Sequence, residues 1–390
     1  MEKHQIRTHH HIRTFERAIA AYNNREPFSR FLTQFYKANK QMGSSDRRMN
    51  SQYCYNYFRI GRALGHLSSV ERLTVGEFLC ETQSVLITVL KPDWATKLAD
   101  SMTDKIEFIA SIYGSFLADI FPDYLSLSAA IEKNNFIISH FIQPDLFIRV
   151  KKAKLALVKQ ELCDLGIEFN NSSGQVLALP NGTKLQNIKN LQGLFEVQDW
   201  ASQQTINQLT IQAGESWWDC CAASGGKSLM LLDREPNIKL LVSDVRLSIL
   251  RNLDVRFQNA GILTYYRKKI LDLSRPIDHL LQEEFDGILV DAPCSGSGTW
   301  GRTPEMLTNF NPSGIATYAE LQKKIVSQVV PFLKKGKTLT YITCSVFSQE
   351  NEEVVQYITE NLPVKLLNSQ IILGYQQKAD TMFSATFVKL

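Results

Sequence analysis

What this sequence lacks narrows its reading first. No apolar run approaches the ~20 residues that a membrane span requires, so no membrane association is expected. Cysteine is thin. The seven present are an odd number without framework spacing, which points to a reducing compartment and a cytoplasmic protein. No Cys-x-x-Cys pair exists, and no metal site is expected. Met1 to Thr14 is basic and His-rich but has no apolar core, so it does not read as a secretory signal. His9-His10-His11 reads as a frayed terminus, because adjacent residues rarely share a metal. Internal repeats and low-complexity tracts are also missing.

What is present is ordinary for a soluble protein: 44% hydrophobic and 21% charged residues. A chain of 390 residues is too long for one comfortable core, so two or three domains are expected. The charge is uneven. Residues 1–60 hold 11 Lys and Arg against 4 Asp and Glu, while the remainder is slightly acidic. A basic arm suits a polyanion such as RNA; a solvated helical surface is the plainer reading.

Three textures follow one another along the chain. Thr14 to about Phe141 is helical in pattern, with Phe15, Ala18, Ile19 and Tyr22 at 3.6-residue spacing. The Ser/Asp cluster after Gly43 is expected to cap a helix through Tyr53, Tyr57 and Ile60, and Pro92 and Pro122 mark breaks. Arg47, Arg48, Arg59 and Arg62 are candidates for phosphate contact. Between Pro144 and Leu194, strands at Leu146–Val150 and Val176–Leu179 flank a helix from Lys154 to Leu165, which predicts a small α/β subdomain. From Gln198 on, strands alternate with helices, which argues for βαβ units and a parallel sheet. The strands end at Asp219 and Asp244, or lie at Leu263–Arg267, Ile288–Val290, Thr338–Ile342 and Phe383–Val388. The division expected is therefore 1–142 helical, 143–196 small α/β, and 197–390 doubly wound.

Two segments at strand ends read as one site: Asp291-Ala292-Pro293-Cys294-Ser295-Gly296 and Thr343-Cys344-Ser345. Ligands of doubly wound sheets sit just past the carboxyl ends of the strands. If the two strands are neighbours, Asp291, Cys294 and Cys344 converge, and the pattern suggests thiolate chemistry rather than a disulfide. The turn Cys221-Ala222-Ala223-Ser224-Gly225-Gly226-Lys227 has neither Gly-x-Gly-x-x-Gly nor Walker spacing. Its small residues still let a ligand approach backbone N–H groups at a helix start. Asp244, 25 residues past Asp219, sits where an acid would hydrogen-bond a ribose. A nucleoside-bearing cofactor is one reading; a purely structural turn is the other.

The residues from Asp219 to Lys227 resemble the first motif of the RNA cytosine-C5 methyltransferases of the RsmB/Nop/Sun type. Asp291 to Gly296 resembles their fourth motif, Thr343-Cys344-Ser345 with Glu350-Asn351-Glu352 their sixth, and Asp380 to Ala385 a weakened closing motif. The resemblance covers roughly residues 144–390, and the helical part is similar in placement to the NusB-like domain of the rRNA enzymes. It implies a Rossmann-like methyltransferase domain preceded by a small RRM-like subdomain. The implied cofactor is S-adenosyl-L-methionine, held by Cys221, Ala222, Ala223, Ser224, Gly225, Gly226, Lys227, Asp244, Asp272 and Asp291. The implied catalytic set is Cys344 as nucleophile on carbon 6 of cytosine, Cys294 for product release and Asp291 at the base edge.

The substrate so implied is 16S rRNA, flipped or single-stranded at the target, with tRNA as the alternative. A catalytically idle RNA-binding assembly factor is the reading from another class, and a monomer is expected. Two positions depart from the family pattern. Ser224 stands where proline is usual and is expected to loosen the cofactor turn, and Trp300–Glu305 is a variant stretch expected to shape substrate access. Of the remaining cysteines, Cys220, Cys54, Cys80 and Cys163 read as structural.

Overall fold

A computed structural model describes residues 2–123, 126–262 and 265–390. The chain forms two compact units whose boundaries differ from the expected 1–142, 143–196 and 197–390. One unit comprises Met1–Leu125, Glu132–Gln143 and Trp300–Pro312; the other comprises Ser126–Ile131, Pro144–Thr299 and Ser313–Leu390. No described helix is long and apolar enough to cross a membrane.

The first unit is helical, with helices at Glu2–Ala21, Phe28–Ala38, Ser44–Arg59, Ser69–Cys80, Val85–Leu90, Met102–Tyr113 and Lys133–Ser139. Local chemistry starts several of them. The Ser68 hydroxyl accepts from Glu71 N–H while the Glu71 carboxylate accepts from Ser68 N–H, a capping box that satisfies two orphan donors. Ser84 and Ser101 cap their helices in the same sense. The Ser/Asp cluster after Gly43 does not act as expected. Gly43 is the cap, without a side-chain bond, and Asp46 lies inside the first turn, where it accepts from His11 Nε2 at 3.1 Å. A carboxylate there suits the positive end of the helix dipole.

The core of this unit is aromatic: the Phe28 ring meets those of Tyr22, Phe31, Tyr55 and Phe58 at 4.9 to 5.6 Å. The segment Trp300–Pro312 belongs to it. The Trp300 ring packs at a tilt between those of Phe121 and Phe310, and Glu305 Oε1 accepts from Phe28 N–H at 3.1 Å. This stretch is therefore core material of the helical unit, with Trp300 1% exposed. Two of the candidate phosphate contacts have partners within the same unit. Arg59 is buried and donates to the carbonyls of His140 and Gly301 and to Gln143, and Arg62 donates to the carbonyls of Thr308 and Phe310.

The second unit holds two sheets. The smaller contains β1 (Leu146–Val150), β2 (Asn170–Ser173), β3 (Val176–Leu179) and β4 (Phe195–Val197), antiparallel in the order β2-β3-β1-β4. The helix Leu155–Asp164 buries Val158 and Leu162 against Ile148, Val150, Leu177 and Leu179. The larger contains β5 (Ser216–Asp219), β6 (Lys239–Asp244), β7 (Tyr266–Ile270), β8 (Phe285–Asp291), β9 (Leu333–Thr343), β10 (Val364–Ile372) and β11 (Met382–Lys389). Its order is β10-β11-β9-β8-β5-β6-β7, with the last five parallel. The expected all-parallel sheet is corrected at one edge: β11 runs antiparallel to β9, and β10 antiparallel to β11. The third strand is also displaced from the expected Leu263–Arg267 to Tyr266–Ile270, and Leu263 lies outside the described residues.

Alternation along β5 explains the layering. Trp217 points to one face, among Leu240, Val242 and the helices Gly226–Arg234 and Leu247–Asn259; Trp218 points to the other, toward Gly314–Val329 and Glu352–Asn361. At roughly 25 cal/mol per Å², indoles burying about 200 Å² contribute about 5 kcal/mol each before entropy. The chain runs outward from β5 through β6 to β7, then returns to the other side of β5 for β8 and β9. That reversal opens a crevice beyond the carboxyl ends of β5 and β8.

Candidate active site

Strands β8 and β9 are parallel neighbours, with Asp291 opposite Ile342, so the segments that leave them emerge side by side. Cys294 Sγ lies 3.2 Å from Cys344 Sγ. Both thiols are free. At this separation the two thiols are within hydrogen-bond reach, and either can donate. The Cys344 sulfur, and then burial, raise the pKa of Cys294 well above the ordinary thiol value. Asp291 Oδ2 accepts from Lys227 Nζ at 2.6 Å; the lysine side chain is 8% exposed and the carboxylate 30%.

A cleft of about 570 Å³ opens here, of a size suited to a nucleoside-bearing ligand. Its walls include Cys221, Ala223, Asp244, Asp272, Asp291, Cys294 and Cys344. Seven of the residues singled out in the sequence thus share one cavity. The other turn residues are placed differently. Ala222 is buried and Gly225 adopts φ +80°, where an added Cβ would meet Leu253 and Phe257 within 3.0 Å. Lys227 is turned to Asp291, and the nearest side chain to an added Cβ on Gly226 is that of Arg256. At Ser224, read as the looser position of the turn, Arg256 Nη1 donates to the hydroxyl at 3.2 Å.

The turn is fastened to β6. Ala222 N–H donates to the Ser243 carbonyl at 2.9 Å and Ala223 N–H to Asp244 Oδ2 at 3.2 Å, while Ala223 takes a left-handed φ of 46°. Asp244 Oδ1 accepts from Arg246 N–H and Nε. At the root of the turn, Asp219 Oδ2 accepts from Ser228 Oγ at 2.6 Å, and Oδ1 is buried without a partner. Burial, reinforced by the charges of Asp291 and Asp244 against the bond from Ser228, pushes Asp219 up to about 7. A carboxylate wall with apolar Leu271 and Leu273 beside it fits a polar nucleoside group.

Sequence reasoning passed over what lies behind the sulfurs. Glu350, quoted only as part of a motif, is fully buried and accepts from Ser295 N–H, Gln322 Nε2 and Ser345 Oγ. Its place beside Asn351, eight residues past Thr343, is the only signal the sequence carries. Of the cysteines read as structural, Cys54 and Cys220 are buried but Cys163 is exposed.

Residues 206–386 match the family described as 16S rRNA methyltransferase RsmB/F. The chain is 38% identical over 178 residues to the ribosomal RNA small subunit methyltransferase B of Shewanella oneidensis, covering 45% of this chain and 41% of that protein. To the probable ribosomal RNA small subunit methyltransferase B of Bacillus subtilis it is 31% identical over 229 residues, or 57% and 51%. The chain thus spans about half the length of the curated relatives it matches. Among solved structures, PH0851 superposes with a TM-score of 0.72 at 20% identity, covering 93% of this chain and 95% of that one. A methyltransferase homolog protein from Pyrococcus horikoshii gives 0.58 at 24% identity, covering 68% and 93%. These two likenesses concern the fold. Residues 206–386, the stretch that builds the cleft, are thus similar in sequence to the methyltransferases of the RsmB/F type.

Proposed function

We propose that the chain is an S-adenosyl-L-methionine-dependent RNA methyltransferase that forms 5-methylcytosine in 16S rRNA. The observation that carries this reading is the contact of Cys294 and Cys344 at the ends of adjacent strands, in one cleft with Asp291. A transferase acting on an already nucleophilic atom has no use for two thiols there.

Carbon 5 of cytosine is a poor nucleophile. Attack of the Cys344 thiolate on carbon 6 makes an enamine that is nucleophilic at carbon 5. Asp291, held at Oδ2 by Lys227, hydrogen-bonds the base edge and favours a proton on the ring nitrogen as charge develops. When a water molecule takes the carbon-5 proton and the carbon–sulfur bond breaks to release the Cys344 thiolate, the Cys294 thiol stands within hydrogen-bond reach of the departing sulfur. Asp244 and Asp272, with the backbone of the turn from Cys221 to Gly226, hold the cofactor. S-adenosyl-L-methionine, when bound, supplies an electrophilic methyl group. The helical unit, NusB-like in this reading, and the small sheet grip the RNA backbone.

The test is incubation of the wild-type protein with labelled S-adenosyl-L-methionine and RNA from cells that lack the modification. Label in 5-methylcytosine of the small-subunit rRNA supports the proposal. Label in tRNA moves the substrate, and binding of RNA and cofactor without label favours an idle assembly factor.

A further inference from the structure

Each reactive cysteine is held at both flanks, and restraints from both loops meet at one carboxylate. On the Cys294 side, Ser295 N–H donates to Glu350 Oε1 at 2.8 Å. Gln322 Nε2 bridges the Pro293 carbonyl, at 2.9 Å, and Glu350 Oε1, at 3.0 Å. On the Cys344 side, the Ser345 hydroxyl donates to Glu350 Oε2 at 2.5 Å. The neighbouring Asn351 accepts from Thr343 Oγ1 at 2.6 Å and donates to the Ser345 carbonyl at 3.0 Å. The three donors to Glu350 are neutral, so its charge is not cancelled by them. A charge surrounded by protein in this way acts at low effective dielectric on whatever ionises nearby.

We propose that Glu350 is a positioning residue that keeps the two sulfurs in contact and makes Cys294 the hydrogen donor of the pair. The proposal rests on the reading of Cys344 as nucleophile. The carboxylate bonds the peptide N–H next to Cys294 directly, whereas on the other side it reaches the chain through the Ser345 hydroxyl. A negative charge beside the Cys294 loop disfavours a second one on that sulfur. In agreement, Glu350 adds to the Cys344 sulfur and burial in raising the Cys294 pKa, against a bond from Gly296 N–H that lowers it. The other ionisable groups facing the sulfurs are Asp291, paired with Lys227, and the phenols of Tyr318 and Tyr341, whose own pKa values burial raises. None of them takes the place of Glu350, because none ties both loops.

The experiment needs neither RNA nor cofactor. The full-length protein is treated with iodoacetamide across the range in which thiols ionise, about pH 6 to 10. Carboxamidomethylation of each cysteine is followed by peptide mass spectrometry. In the wild type, Cys344 is expected to label first, with Cys294 at least about 10-fold slower because its thiolate is disfavoured. Glu350→Gln should lose most of that difference, and Glu350→Asp, which keeps the charge, should retain more of it than Glu350→Gln.

If Glu350→Gln does not fold, Ser345→Ala removes one tether at constant charge, and the preference for labelling Cys344 over Cys294 should then shrink. Equal labelling of the two cysteines in the wild type, or a preference that Glu350→Gln leaves unchanged, overturns the proposal. Methylation of a different base with the thiol preference intact would instead overturn the proposed function alone.

Discussion

The Lys227 ammonium donates to Oδ2 of Asp291 at 2.6 Å, and the two ends of this pair differ in exposure, 8% against 30%. The asymmetry predicts different consequences for removing either partner. Asp291→Asn strands a buried cation and is expected to cost about 3–5 kcal/mol of stability. Lys227→Met strands a carboxylate that water can reach, so the fold should survive with a smaller loss while turnover falls about 100-fold. Chemical denaturation with methyl-transfer kinetics on both variants checks this. Equal losses of stability would contradict it.

Removal of the sulfurs one at a time should separate attack from release. Cys344→Ala is expected to abolish both turnover and covalent RNA–protein adducts. Cys294→Ala should let an adduct accumulate, visible as a retarded band after denaturing electrophoresis with RNA. Turnover surviving in Cys344→Ala would remove that residue from the nucleophile's role.

Glu77, in the helical unit, accepts from Asn56, Gln52 and Ser84, yet burial pushes it up to about 7. Its folded-state pKa lies above the ordinary 4.5, so between those values the folded chain binds the extra proton. The stability contributed this way is full below about 4.5 and lost as pH rises through about 7, amounting to about 3 kcal/mol. Asp219, pushed up to about 7, acts in the same direction in the other unit. Urea unfolding followed from pH 5 to pH 8, roughly that window, should show falling stability. Glu77→Gln should flatten the part of the slope that belongs to the helical unit. A slope identical to the wild type would exclude Glu77 as its source.

Gly298 lies where two loops cross. Its N–H donates to the Cys344 carbonyl at 2.9 Å, and its carbonyl accepts from Thr381 N–H at 2.9 Å. A Cβ there would stand 1.9 Å from the Thr381 carbonyl oxygen, which is backbone and cannot swing aside. Gly298→Ala is expected to destabilise by about 2–4 kcal/mol and to displace Cys344, with overpacking strain as the cause. A thermal midpoint within a degree or so of the wild type would contradict the crossing described here.

How much of this the sequence discloses depends on where the decisive interactions lie. Strands β8 and β9 are buried on both faces, so Ile288, Leu289, Val290, Leu339, Tyr341 and Ile342 form apolar runs that are easily read. Edge strands carry no such mark. β2 is Asn-Asn-Ser-Ser, β7 is Tyr-Arg-Lys-Lys-Ile, and β10 is broken by a register shift between Leu366 and Asn368. Polar edges of this kind resist pairing with other chains, and the same polarity hides them from periodicity. The cysteines and Asp291 were legible because chemistry restricts the residue types that can serve. Glu350 was not, because its role comes from three partners scattered between Ser295 and Ser345 that only the fold assembles.

The membership of Trp300–Pro312 in the helical unit also bears on how the protein is made. As the chain leaves the ribosome, the helices up to Gln143 appear early, but Gly301, which receives Arg59, and Glu305, which receives Phe28 N–H, come more than 150 residues later. The buried guanidinium of Arg59 must wait for that acceptor while four strands of the larger sheet, β5 to β8, are synthesised first. A fragment ending at Gln143 would carry the same vacancy permanently. Completion of the helical unit is thus coupled to synthesis of the larger sheet that precedes its last segment.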